Sequence, residues 1–170
     1  MSFKIWTHTA NTGSASTDGD VSIQIIGQQV SAEHLLDEDG DDFTRDATDD
    51  FTIADPIDVK DIREVRLFLE GGSEWSSDTW EFDRVVVECL ESHRMWEWIG
   101  RSNPPLRLTS RGKKSEPAVL SMVEVTGNAK DALRLALQAG KMQTQLRNIQ
   151  SRMEDCQKSC EELHLRMPSN

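Results

Sequence analysis

Asp83-Arg84-Val85-Val86-Val87-Glu88-Cys89-Leu90 is the most strand-like segment of the chain. Three successive β-branched residues are stiff at χ1 and favour extended backbone, and so continuous an apolar run suits the centre of a sheet. To either side lie shorter segments of the same kind, at residues 3–8, 21–25, 50–53 and 64–69, with Val21, Ile23 and Ile25 alternating onto one face. Turn formers separate them, the longest such stretch being residues 11–20. Short alternating segments punctuated by turns predict an antiparallel β-sandwich and leave little room for helix. After Trp96-Glu97-Trp98-Ile99 the breaker Asn103-Pro104-Pro105 intervenes, and Leu106-Arg107-Leu108 is expected to pair with residues 118–125 as a hairpin across the basic loop Arg111-Gly112-Lys113-Lys114.

Past Gly127 the apolar period lengthens. Asn128 is suited to cap a helix and Asp131 to sit at its positive end. From there Ala132, Leu135, Ala139, Met142, Leu146, Ile149, Met153, Cys156, Cys160 and Leu163 follow at alternating spacings of three and four. A seam this regular predicts a coiled coil or a long docked helix over 128–166, with Leu135, Met142, Leu146, Ile149, Met153, Cys156, Cys160 and Leu163 as the oligomerisation stripe. Small residues and Cys dilute the seam, and Gly140 costs about 1 kcal/mol relative to Ala in a helix. The chain therefore divides into a sandwich at 1–103, a hairpin or connector at 104–127 and the helix.

The 170 residues carry a formal net charge of -11. The acid is concentrated ahead of the helix, with twelve Lys/Arg against twenty-five Asp/Glu in residues 1–127 and seven against five in 128–170. Such a surface repels phosphate backbones and argues against a nucleic-acid partner; it suits cations or basic proteins. The three Cys have no metal-ligand spacing, and neither a secretory leader nor an apolar run of the ~20 residues that span a bilayer is visible. The expectation is a soluble, cytoplasmic protein with free thiols. His8, His34, His93 and His164 are scattered, and no nucleophile elbow or phosphate loop is present, so catalysis is not expected.

The acidic run Asp37-Glu38-Asp39-Gly40-Asp41-Asp42 is the segment with chemical content. Five carboxylates around one glycine are unfavourable together unless fully solvated or shared with a cation. A hard oxygen-seeking ion such as Ca²⁺ suits them, and the spacing is not that of an EF-hand. Trp75 lies in a Gly/Ser-rich loop with no alternation to bury it, so it is a candidate for a membrane or partner contact, with packing beneath its own loop as the alternative.

Several segments, taken in order, resemble a known family. They are Thr17-Asp18-Gly19-Asp20-Val21; Asp41-Asp42-Phe43-Thr44-Arg45 with Asp49-Asp50-Phe51-Thr52-Ile53; Ile62-Arg63-Glu64-Val65-Arg66-Leu67; and Trp80-Glu81-Phe82-Asp83-Arg84-Val85. Together they are similar to the motifs of the PLAT (polycystin/lipoxygenase/alpha-toxin, lipoxygenase-homology) family. The resemblance implies an eight-stranded sandwich of two four-stranded antiparallel sheets, with Ca²⁺ loops at one end. It also implies a role in docking to membranes or proteins, and a buried aromatic at Trp80. It maps the metal ligands to the side chains of Asp37, Glu38 and Asp42 and the carbonyl of Gly40. The family's second calcium site uses the first loop, where Ser14 and Ser16 depart from the pattern and Asp18 is expected to tie the loop to the strands.

The leading expectation is thus a non-catalytic adaptor that docks to a protein or an anionic membrane surface, with the helix binding a partner or another copy. The alternatives are a calcium-independent component of a cytoskeletal or ciliary assembly, and an accessory subunit of a lipid-metabolising enzyme.

Overall fold

The computed structural model describes residues 1–37, 42–55, 61–73, 75–100 and 105–165, without the side chains of 162–165. Two antiparallel sheets face each other across one core, and a long helix follows. The strands are β1 (Ser2–Thr9), β2 (Asp20–Ile26), β3 (Val30–Leu36), β4 (Thr48–Ala54), β5 (Glu64–Glu70), β6 (Asp78–Cys89), β7 (Met95–Ile99), β8 (Leu106–Ser110), β9 (Ala118–Ser121) and β10 (Val123–Val125). The helix α1 spans Asn128–Leu165. One sheet runs β10-β7-β6-β1-β4 with β8 also on β6, and the other runs β3-β2-β5-β9.

Among the described residues the strands number ten, six and four to a sheet, rather than the expected four and four. One added strand, β10, extends the sheet beyond β7, and the other follows from the length of β6. Its twelve residues outlast any single neighbour, so Arg84–Glu88 pair with β7 while Asp78–Phe82 pair with β8 on the same edge. The hairpin expected over 106–125 is likewise not formed, because β8 joins β6 and β9 joins β5 in the opposite sheet. Leu108 and Leu120 are both buried, at 4% and 1% exposure, and reach the core from opposite sides. Two strands of one hairpin could not place them so.

Trp80 stands at the centre of the core. Its ring stacks on Phe82 at 4.3 Å and meets the edge of Phe43 at 5.0 Å, and its indole N–H donates to Thr9 Oγ1 at 3.0 Å. A buried indole whose polar edge is satisfied gains its full apolar burial, about 1.5–3 kcal/mol for a large side chain, with no unpaired donor to offset it. The triple valine also finds its explanation. Val85 and Val87 face the inter-sheet core, while Val86 points outward and is covered with Trp6 and Met95 by Leu137 of α1. A strand buried on both faces cannot alternate.

Helix α1 crosses the outer face of the six-stranded sheet. Lys130 reaches the carbonyl of His93, Arg134 pairs with Glu88, Lys141 pairs with Asp50, and Arg147 pairs with Asp46 at 3.1 Å. Thr144 Oγ1 accepts the N–H of Thr48 at 3.0 Å. Gly140 permits this approach, since a Cβ there would lie 2.7 Å from Thr48 Oγ1. From His93 to Asp46 the contacts pass from one end of the sandwich to the other. Residues 148–165 then continue for about 27 Å at the α-helical rise, and every residue from 145 to 161 is exposed.

Candidate functional site

In an antiparallel sandwich the loops gather at two ends, and here the described parts of the loops at 10–19, 37–47, 71–77 and 111–117 share one of them. They are stitched together. Arg45 N donates to Ser16 Oγ at 2.9 Å, Thr17 Oγ1 donates to Asp78 Oδ2 at 2.6 Å, and Gly112 N donates to the carbonyl of Gly71 at 3.1 Å. Gly19 is required by contact: a Cβ at that position would lie 2.8 Å from the carbonyl of Glu70 and 2.3 Å from Asp78 Oδ2. Thr17 and Asp78 thus make the tie expected of Asp18, whose exposed side chain turns toward the surface.

Between these loops lies a pocket of about 320 Å³, lined by Asp18, Asp20, Asp37 and Asp42 together with Thr17 and Thr44. Acids from two loops distant in sequence thereby come to one opening. Of the predicted ligand set Asp37 and Asp42 line it, whereas Glu38 and Gly40 lie outside the described residues. Among the described residues no three acidic, His or Cys side chains converge on a single metal position. The donor type nonetheless fits a hard cation, being entirely carboxylate, hydroxyl and carbonyl oxygen.

Asp49 lies just behind the pocket. Its Oδ2 accepts the N–H of Phe43 at 3.1 Å and so holds that residue at a φ of 56°, an unusual conformation for a bulky side chain. Burial pushes the Asp49 carboxyl up to about 6; the Phe43 hydrogen bond opposes this and the charge of Asp42 adds to it. In the sequence Asp49 stands only in the family motif, just ahead of the strand expected at 50–53, and only its environment marks it out. A cation in the pocket would relieve the repulsion between Asp42 and Asp49.

Trp75 is 89% exposed. It is not packed beneath its loop. The backbones of Ser73 and Ser76 hydrogen-bond to each other, and Trp75 N donates to Ser73 Oγ at 3.2 Å, so a small closed turn presents the ring outward. Of the neighbouring basic residues, Lys114 is engaged by Glu33 and lies over the Phe68 ring, while Lys113 is exposed.

The predicted helix stripe faces away from the sandwich. Leu135, Met142, Leu146, Ile149 and Met153 are 56–67% exposed, Cys156 and Cys160 are exposed, and the side chain of Leu163 lies outside the described residues. The face that docks carries Lys130, Leu133, Arg134, Leu137, Lys141 and Thr144. It also recurs at helical spacing, but only two of its members are apolar, so a search for a greasy stripe passes over it. Among the described residues no helix is long and apolar enough to cross a membrane.

The family model for the PLAT/LH2 domain matches residues 3–118. No curated protein matches the chain. Among solved structures, coral 8R-lipoxygenase, described as activated by calcium through a C2-like domain, aligns with a TM-score of 0.58 at 23% identity, covering 74% of this chain and 17% of that one. A deletion variant of LOX in complex with arachidonate aligns with a TM-score of 0.57 at 24% identity over the same shares. The alpha toxin of Clostridium absonum is a looser match, with a TM-score of 0.44 at 18% identity, covering 74% and 31%. This chain therefore spans about a sixth of those lipoxygenases, and at such identity the likeness concerns the fold.

Proposed function

This chain belongs to the PLAT/LH2 domain family, and we propose that it is a non-catalytic binding module that docks to an anionic lipid surface through the loop end of its sandwich, with calcium in the 37–42 loop and α1 as an assembly element. The observation that carries the reading is the meeting of two unlike features at one end: a pocket lined by four aspartates, and an indole held 89% exposed on a closed turn. Four carboxylates repel an anionic surface and one another unless a cation lies between them, while Trp is suited to the polar–apolar boundary of a bilayer. Asp37, Glu38 and Asp42, with the carbonyl of Gly40, would hold the ion. Calcium there supplies positive charge that neutralises the loops and bridges to an anionic headgroup; the chain's own part is to hold the oxygens together and present Trp75 beside them.

The test is a calorimetric calcium titration of the full chain, followed by flotation with vesicles containing phosphatidylserine. Wild type is expected to bind calcium saturably and to float only with it. Asp37→Asn/Asp42→Asn should lose both properties, and Trp75→Ala should keep calcium binding while floating at least tenfold less. No calcium binding up to millimolar concentration would overturn the calcium part. Calcium binding with no flotation would overturn the lipid part.

A second reading, a calcium-independent component of a cytoskeletal or ciliary assembly, is favoured by the course of α1. The helix leaves the sandwich at the same end as the loops and runs well past it, as a connection to a larger structure would. Removal of residues 148–170 separates the two readings: an assembly component loses its place, whereas a lipid-docking module keeps its calcium-dependent flotation.

A further inference from the structure

We propose that the exposed seam of α1 is the contact surface for a second copy of this chain, the two helices pairing as a coiled coil with the sandwiches outside it. The proposal rests on the reading of α1 as an assembly element and names its partner.

The first argument is which faces are already used. In heptad terms Leu146 and Met153 occupy a, and Met142 and Ile149 occupy d. The sandwich is met only from the opposite side, by Arg134 and Lys141 at c, Leu137 and Thr144 at f and Arg147 at b. The seam is therefore surplus to the intramolecular packing, with Leu135, Met142, Leu146, Ile149 and Met153 all exposed.

The second argument is charge. The positions flanking the seam, which decide partner choice in a coiled coil, are occupied by Gln138 and Gln145 at g and by Gln143, Gln150 and Gln157 at e. An amide is both donor and acceptor, so it can face its own copy in either direction of pairing. Most of the charges of the helix, among them Arg147, Glu154, Asp155, Lys158 and Glu161, stand on b, c and f, away from such a contact; Asp131 and Arg152 at g are the exceptions. A helix selected to meet a differently charged partner would carry its complement in these flanks, whereas an uncharged flank suits a self-match.

The third is burial. From 148 to 161 every residue of the helix is exposed, and helices of this length in water draw most of their stability from packing an apolar stripe.

The experiment is light scattering and sedimentation of the full chain at tens of micromolar, beside Leu146→Glu/Ile149→Glu, with limited trypsin digestion at Arg152 and Lys158. Wild type is expected at twice the chain mass, with those sites protected at least tenfold relative to the variant, and the variant at the single-chain mass with its sandwich still folded. A double mass that persists in the variant overturns the proposal, because association then uses another surface. A single mass with rapid cleavage also overturns it but leaves the assembly reading standing, since the seam is then open for a different helix. A single mass with the sites protected ends both, because the segment then folds onto its own sandwich.

Discussion

The two stretches of α1 share one heptad seam and behave differently. From Lys130 to Arg147 the helix lies on a sheet, and from 148 to 161 every residue is exposed. What separates them is the opposite face. In the first stretch that face carries Leu137, 3% exposed among Trp6, Val86 and Met95, and a series of cations aimed at the acids of the sheet. In the second it carries Ser151, Glu154, Asp155 and Lys158, all exposed. An apolar seam therefore does not by itself mark what a helix packs on, and in this molecule the intramolecular contact is made by the more polar face.

The comparison is most open to challenge at Leu137. If the docked stretch is held chiefly by the buried Leu137, with Leu133 beside it, and the ion pairs only align it, Leu137→Ala should destabilise the protein by about 3 kcal/mol, as for a buried leucine truncated in a core. Trp6 should gain solvent, visible as a red shift in fluorescence, and new protease cuts should open between residues 130 and 147. A loss below about 1 kcal/mol would mean that the ion pairs hold the helix and that the two stretches differ in charge more than in packing.

Asp49 and Asp50 sharpen the comparison further, because adjacent residues of β4 face opposite ways. Asp50 points out to Lys4 and Lys141, whereas Asp49 points in to the Phe43 amide. The folded-state carboxyl of Asp49 is raised to about 6 from an ordinary 3.8. Such a group is costless below its unfolded value, and its share of stability is lost as pH rises through the folded one. With calcium chelated, Asp49→Asn should therefore be more stable than wild type at pH 7.5 by on the order of 2 kcal/mol, and the difference should vanish near pH 4. Denaturant melts at the two pH values measure it. A difference independent of pH would place the effect in the Phe43 hydrogen bond rather than in the buried charge.

How much of this was legible in the sequence follows the same division between local and distant. The strands around residues 3–8, 21–25, 64–69 and 83–90 announce themselves by alternation or by β-branched runs, and the helix by its seam. β3 does not, because an edge strand reading Val-Ser-Ala-Glu-His-Leu-Leu has only two buried residues, Ser31 and Leu36, and little period to see. The exchange of sheets between β8 and β9 is invisible locally, since nothing within residues 106–121 says which distant strand each will meet. At the loop end the acids of 37–42 stand out in the sequence, but the approach of Asp18 and Asp20 to them depends on turns packed by Gly19 and Gly71. The burial of Asp49 depends on a neighbour six residues away turning back with positive φ.

The smallest expected effect lies where the docked stretch stops. Among the described residues Arg147 is the last with a bond to the sandwich, pairing with Asp46 across a surface that leaves both side chains about 40% exposed. An ion pair so open to water contributes about 0.5 kcal/mol at most, so Arg147→Ala should leave the melting temperature nearly unchanged. Its consequence should be local. Without the bond to Asp46 the next firm anchor is Thr144, which shares its hydroxyl between the Thr48 amide and the Gly140 carbonyl. Amide exchange should therefore quicken over residues 145–149 and remain slow at 137–141. Were exchange to quicken along the whole of 130–147 instead, the docked stretch would be released as one unit. The boundary between the two stretches would then be an all-or-none latch rather than the place where complementary side chains run out.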